Sequence, residues 1–422
     1  MQHIDVLIRN IGTVHTCAGR KCRRGSEMLD TSPVEEAVIA VSEDRILYIG
    51  PENEIGELKH GITDRTVVVN ARANDVIPGF VDSHTHLIWH GDRTGEFARM
   101  LRGESYEDIT AEGGGINTTV RATRQASLES MVFFGQQRLN RMLAHGTTSV
   151  ECKSGYALET ESELRMLEAV HILRERTPQL LFSTFLGAHL VPEEYVDERE
   201  EYVALVIDEM IPAVAAQGYA DFCDVFMEHN AFNASETERI LRAGIKHGLR
   251  PRLHADELSN TGAAALAARL GAASCDHLEC ISDNSLFALA KSNTVATLMP
   301  GVSFYLDLSS HAPFRQLYEA GCIIALATDF NPGTSPSLNM QGTFALGVLQ
   351  MRMPVEVALT ASTINAAYAL DAEEETGSLE VGKRADIVVL DCSLPEMPYH
   401  WGENHAAEVI CGGNLVEAGD LI

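Results

Sequence analysis

Basic side chains are scarce in this chain: 32 lysines and arginines stand against 60 aspartates and glutamates, a formal charge of −28. A surface of that sign repels phosphate backbones and anionic lipid, which argues against nucleic acid or a membrane surface as partner. The nine cysteines include no Cys-x-x-Cys. The nearest pairs, Cys17 with Cys22 and Cys275 with Cys280, match no zinc ribbon, and an odd count without a framework fits a reducing compartment. No run reaches the roughly 18 uninterrupted apolar residues of a membrane span. The opening MQHIDVLIRNIGTVHT alternates like a strand and has no charged-then-apolar leader. These absences leave the expectation of a soluble cytoplasmic protein. If its substrate is an anion, the site must supply positive charge against this acidic background.

Hydrophobic residues make up 45% of the 422 positions, enough for a large barrel plus a smaller domain and too much for disorder. Two textures alternate along the chain. The first ~70 residues read as short strands by period-2 alternation (4–10, 36–50, 65–71), and the texture returns at 384–392 and 406–419. Between them, apolar strands alternate with amphipathic helices: VIPGFVD (76–82), TTSVECK (147–153), LLFSTFLG (180–187), FCDVFM (222–227), RPRLHA (250–255), SCDHL (274–278), VATLMP (295–300) and IIALATD (323–329). The pattern predicts an α/β fold, a (β/α)8 TIM barrel over 74–370 with a small β-sandwich domain formed by both termini, 1–73 and 371–422. The long gap from 83 to 146, with its Gly113-Gly114-Gly115, is expected to be an active-site excursion.

In such barrels chemistry gathers at the C-terminal ends of the strands. Those ends carry His84 and His86, then Tyr156, His189, His254, His277 and Asp329. A His-x-His alone is weak, since about 0.6 such pairs arise by chance from 16 histidines in 422 residues. Its place after PGFVD is more telling. Imidazoles with one carboxylate make a four-ligand set for zinc or iron, and His254 and Asp329 complete it. A bound ion of this kind makes hydroxide available near neutral pH. Asp329 can receive the proton, Glu257 can deliver one to a leaving nitrogen, and His277 can stabilise an oxyanion. Glu257 also reads as an acid opening the next helix. A two-metal site would need a bridging group such as Lys153, but one ion accounts for the residues.

PGFVDSHTH, HADE and ATDFNPGTSP resemble the amidohydrolase superfamily. More narrowly, nearly the whole chain is similar to the imidazolonepropionase family, through GDRTGEFARMLRGESYEDI, GTTSVECKSGY, TFLGAHLVPEEY, LSNTGAAALAARLGAASCDHL and DFNPGTSP. The resemblance implies hydrolysis of the cyclic amide of 4-imidazolone-5-propanoate to N-formimidoyl-L-glutamate. It implies one zinc or iron ion on His84, His86, His254 and Asp329, and a homodimer. It places substrate contacts on Arg93, Tyr156, His189 and Glu257, and product contacts on Tyr156, Asn331 and Gly333, with Thr334 beside the substrate. His277 matches the family's catalytic histidine.

Arg93 is a donor fork suited to a propionate tail, although a surface salt bridge with Asp92 or Glu96 is the plainer reading. His189 could hold the ring carbonyl or the tail, or be a buried structural histidine. Trp89-His90-Gly91 departs from the family pattern; His90 reads as an extra imidazole close to the first ligands that could alter pocket shape or local pKa values, which bears on fine substrate preference and not on the reaction class. Ile364 reads as packing. The rival functions are a deaminase of a purine, pyrimidine or related ring, which shares the metal constellation, and a non-catalytic barrel, which would have lost it.

Overall fold

A computed structural model describes residues 3–104, 109 and 112–417. Residues 105–108 of the GDRTGEFARMLRGESYEDI run and the last two residues of the expected strand 406–419 lie outside that set. Eight parallel strands follow one another in chain order: β1 (Phe80–Asp82), β2 (Thr147–Lys153), β3 (Leu180–Ala188), β4 (Phe222–Met227), β5 (Leu253–Ala255), β6 (Ser274–His277), β7 (Val295–Leu298) and β8 (Ile323–Leu326). The ring closes through a parallel bridge between Thr85 and Phe330. This is the expected (β/α)8 barrel.

The run VIPGFVD does not form one strand. Val76–Pro78 pairs with Ile387–Leu390 and Thr13–His15 outside the barrel, whereas Phe80–Asp82 pairs with β2. The divide falls at Gly79, where a Cβ would lie 2.2 Å from Thr148 Oγ1, so only glycine lets the chain pass so close to β2. The expected strand 250–255 is similarly broken, into Arg250–Pro251 and β5.

Residues near both chain ends form two further sheets. One has four strands in the order Arg45–Pro51, Ala37–Ser42, Val6–Arg9, Val67–Asn70. The other has six and unites Thr13–His15, Pro33–Glu35 and Val76–Pro78 with Ile387–Leu390, Ala406–Cys411 and Asn414–Leu415. Val6, Ile8, Ile39 and Val41 of the first meet Val14, Val76, Ile387, Val389 and Ile410 of the second in one buried cluster. That is a sandwich, with alternate side chains of each strand turned inward.

Alternation also sorts the barrel strands. On β2, Val150 and Cys152 face outward onto Leu139, Met142, Met166 and Val170 of the helices Leu128–Ala144 and Thr160–Arg174. Glu151 and Lys153 face inward. Lys153 Nζ donates to Glu151 Oε1 (2.8 Å) and to Asp224 Oδ2 of β4 (2.9 Å), all fully buried. Arg252 donates to Ser83 O (2.7 Å) and lies 3.4 Å from Asp276. The floor of the barrel is thus three carboxylates and two cations, where most barrels carry aliphatic layers. Charges so deep are tolerated only when paired and hydrogen-bonded.

Candidate active site

Asp82, the last residue of β1, locks β1 to β8. It accepts from Thr328 N (3.0 Å) and Thr328 Oγ1 (2.6 Å). Beyond that lock, Asp329 N donates to His84 O (3.1 Å) and His86 N to Phe330 O (2.9 Å). The chain after β1 is thereby held against the end of β8, and two histidines are brought onto one carboxylate. His84 Nε2 lies 3.3 Å and His86 Nε2 3.4 Å from Asp329 Oδ1. From β5, His254 Nε2 reaches to 3.4 Å from His86 Nε2.

The donor set fits a divalent cation. His84 Nδ1 is 2.7 Å from Asp276 Oδ2, a carboxylate that can only accept, so Nδ1 carries the hydrogen and Nε2 presents a lone pair. His254 Nδ1 lies 3.0 Å from Asp224 Oδ2, near enough for a charge contact though not aligned as a hydrogen bond. Among the described residues, His84 Nε2 and Asp329 Oδ1 are buried with no hydrogen-bond partner. Burial, followed by the nearby Lys153 charge, holds His84 well below the usual imidazole range, and burial lowers His86 too. Neutral imidazoles converging with a carboxylate are what an ion requires. Burial alone would raise Asp329, but His86 and His277 outweigh it and keep the carboxyl ionised.

Asp224 and Asp276 were not foreseen as orienting groups. Their signal is an acid inside an apolar strand, FCDVFM and SCDHL, which has no reason to be there unless it serves something inside. Lys153, the candidate bridge of a two-metal site, has its ammonium between Glu151 and Asp224, whose charges raise its affinity for protons against the cost of burial.

Around this cluster stand the expected catalytic groups. His277 Nε2 is 3.7 Å from Glu257 Oε2. Burial pushes the Glu257 carboxyl up, against the pull of His277. His277 is buried as well, but Glu257, Asp329, Glu279 and Asp276 overcome that and raise it to about 9. Tyr156 and His189 lie over His86, with ring centroids 5.4 and 5.1 Å away. Tyr156 sits on a turn built by Glu163, whose carboxylate accepts from the N–H groups of Gly155, Ala157 and Leu158. Gly155 has φ +100°, and its carbonyl lies 2.9 Å from His189 Nδ1. That nitrogen must therefore carry the hydrogen. Burial, then His86 and His254, keeps His189 neutral, which makes Nε2 an acceptor.

Arg93 is buried, and its Nε donates to Glu96 Oε2 (2.9 Å). Glu96 also accepts from Gly115 N (3.1 Å) and Thr118 Oγ1 (2.9 Å), tying Arg93 to the triple-glycine segment. The pairing with Glu96 is real but internal, not a surface bridge. Asn331 Nδ2 donates to Asp329 Oδ2 (2.9 Å), while its Oδ1 accepts from Gly333 N and Thr334 N (2.7 Å each). Its amide is committed to the turn after β8. His90 does not crowd the ligands. Its Nε2 meets Ser130 Oγ (3.1 Å) and its ring packs on Phe134, both on the helix Leu128–Ala144. Ile364 is buried packing.

The chain belongs to the amidohydrolase family, whose model matches residues 76–416. Solved structures of similar fold include guanine deaminase from E. coli (16% identical, 97% of this chain and 99% of that one, TM-score 0.70). An adenosine deaminase from Xanthomonas campestris with bound zinc is also similar (17%, 98% and 93%, TM-score 0.68). Within the family the chain groups with the imidazolonepropionases. It is 45% identical to imidazolonepropionase of Symbiobacterium thermophilum (99% of this chain, 98% of that one). It is 44% identical to that of Myxococcus xanthus (98% of each) and 43% to that of Alkaliphilus oremlandii (100% of each).

Proposed function

We propose that this chain hydrolyses the ring amide of 4-imidazolone-5-propanoate to N-formimidoyl-L-glutamate. The observation that carries the reading is the cluster of three imidazole nitrogens and one carboxylate, with a buried arginine over Gly333 of the turn after β8, in a chain at 45% identity to an imidazolonepropionase over nearly its full length.

In this reading His84, His86, His254 and Asp329 would hold one divalent ion, zinc or iron, which supplies Lewis acidity and a water acidic enough to attack at neutral pH. Asp329 takes the proton of the attacking water. Glu257 and His277 share a proton across their contact and deliver it to the ring nitrogen as the C–N bond breaks. Arg93, held by Glu96, receives the propionate, and Tyr156 adds a neutral hydrogen bond. His189 Nε2 accepts a ring N–H; its neutral tautomer does not suit a carbonyl or a carboxylate. One or two such placed groups outweigh a distant acidic surface, which screening weakens further.

Purified enzyme should deplete 4-imidazolone-5-propanoate with one metal per chain. Ammonia release from guanine or cytosine, with no loss of the imidazolone, would instead favour the deaminase rival. The same reading includes a cytoplasmic homodimer; it draws on the family resemblance, and size-exclusion with light scattering tests the dimer. No helix among the described residues is long and apolar enough to cross a membrane.

A further inference from the structure

Glu279 lies two residues beyond β6 and has no part in the chemistry described so far. Its side chain is buried, 2% exposed. One oxygen, Oε1, lies 3.4 Å from Ser303 Oγ of the helix Pro300–Tyr305. The other, Oε2, is buried with no hydrogen-bond partner among the described residues, and so is Nδ1 of His277. These two atoms are 4.0 Å apart. A buried carboxylate oxygen and a buried imidazole nitrogen are each costly when unpaired. A contraction of about 1 Å would make the bond, and catalytic hydrogen bonds are commonly long before substrate binds.

The backbone supports a built arrangement. His277 and Leu278 have φ of +83° and +76°. Neither residue is glycine, and such conformations are strained for both unless the surroundings demand them. Two in succession break the alternation of β6 and fold the chain so that Glu279 returns beside its own strand end. His277 then stands between two carboxylates, Glu257 at Nε2 and Glu279 at Nδ1.

The geometry points to Glu279 as a positioning residue for the reaction: its Oε2 takes the Nδ1–H of His277 and so confines the mobile proton to the Nε2–Glu257 side. This rests on the reading of His277 and Glu257 as the proton-handling pair. With Nδ1–H pinned, Nε2 gives and takes a proton with no change of ring orientation, the logic by which a buried acid holds the histidine of a hydrolytic triad.

The test uses zinc-loaded enzyme labelled with 15N-histidine at a pH where the His277 ring is neutral, the His277 signals being identified by their loss in His277→Ala. We expect a protonated Nδ1 in the unaltered enzyme. It should persist in Glu279→Gln, whose amide oxygen still accepts, and become a tautomer mixture in Glu279→Ala. Glu279→Ala should lower kcat on the order of 100-fold with KM within about twofold and metal content unchanged. Glu279→Gln should stay within about fivefold. In the His277→Ala background, Glu279→Ala should cost nothing more. An unmoved tautomer in Glu279→Ala, or an equal kcat loss in both backgrounds, overturns the proposal. Undiminished kcat in His277→Ala is a different result, which overturns the functional reading of the pair itself.

Discussion

Arg93 lies directly over Gly333: a Cβ built on that glycine would come within 2.3 Å of the arginine's Nη1. Arg93 is anchored at Nε by Glu96, so it cannot simply swing aside. Gly333→Ala should therefore displace the guanidinium while leaving the ligand cluster intact. The expected result is a KM raised about tenfold with kcat within about twofold, because a tail contact made equally in ground and transition states affects binding more than chemistry. Steady-state kinetics on the imidazolone decide it. A fall in kcat alone would remove Arg93 from the role of carboxylate clamp.

Asp329 receives the approach of His84 and His86 and is itself held by Asn331. Asp329→Ala should fold, bind metal poorly and lose activity by three orders of magnitude or more, roughly what deleting a central catalytic group costs. Metal analysis after gel filtration, with circular dichroism for the fold, is the check. Full turnover by this variant would be incompatible with the proposed chemistry.

Lys153 neutralises Glu151 and Asp224 in the floor of the barrel. Lys153→Met leaves two buried carboxylates without their cation, and the expected loss is about 3–5 kcal/mol in urea unfolding. Activity of the native enzyme should not depend on added bicarbonate. A bicarbonate requirement would instead mark Lys153 as a carbamylated bridge between two metals.

Asp75 joins the two ends of the chain. It accepts from Thr13 N (3.1 Å) and Leu394 N (2.8 Å) and lies 3.4 Å from His15 Nε2. Burial pushes its carboxyl up, but His15 and those N–H groups prevail, and its folded pKa lies below the ordinary value. A depressed carboxylate contributes stability that is complete above the unfolded pKa and disappears as pH falls through the folded one. Asp75→Asn should therefore be less stable than the native chain by about 1–3 kcal/mol at pH 6, with the gap closing below about pH 4. Urea titrations across that range would show it. A gap that widens in acid would contradict the assignment.

Much of the molecule is legible in its sequence. The period-2 runs, the alternation of apolar strands with amphipathic helices, and polar residues placed just after each strand specified the barrel, the terminal sandwich and most of the residues that now face one another. They are local patterns, and burial enforces local patterns strongly. The split of Val76–Asp82 at Gly79 was hidden, because the sequence is apolar on both sides and only the collision with Thr148 separates two sheets. His90 misled for the opposite reason: nearness in sequence to His84 and His86 says nothing about which way a side chain turns after the strand ends.

The reaction class and the identity of the converging donors are written in the chain, since His84, His86, His254 and Asp329 sit at strand ends that a parallel barrel must gather at one mouth. Which nitrogen of His84 and of His189 faces the site is fixed by the folded arrangement alone. Two contacts between residues far apart in the chain set it, Asp276 on His84 and the Gly155 carbonyl on His189. A tautomer is set by what lies across a few ångströms of space, and no spacing along a chain encodes it.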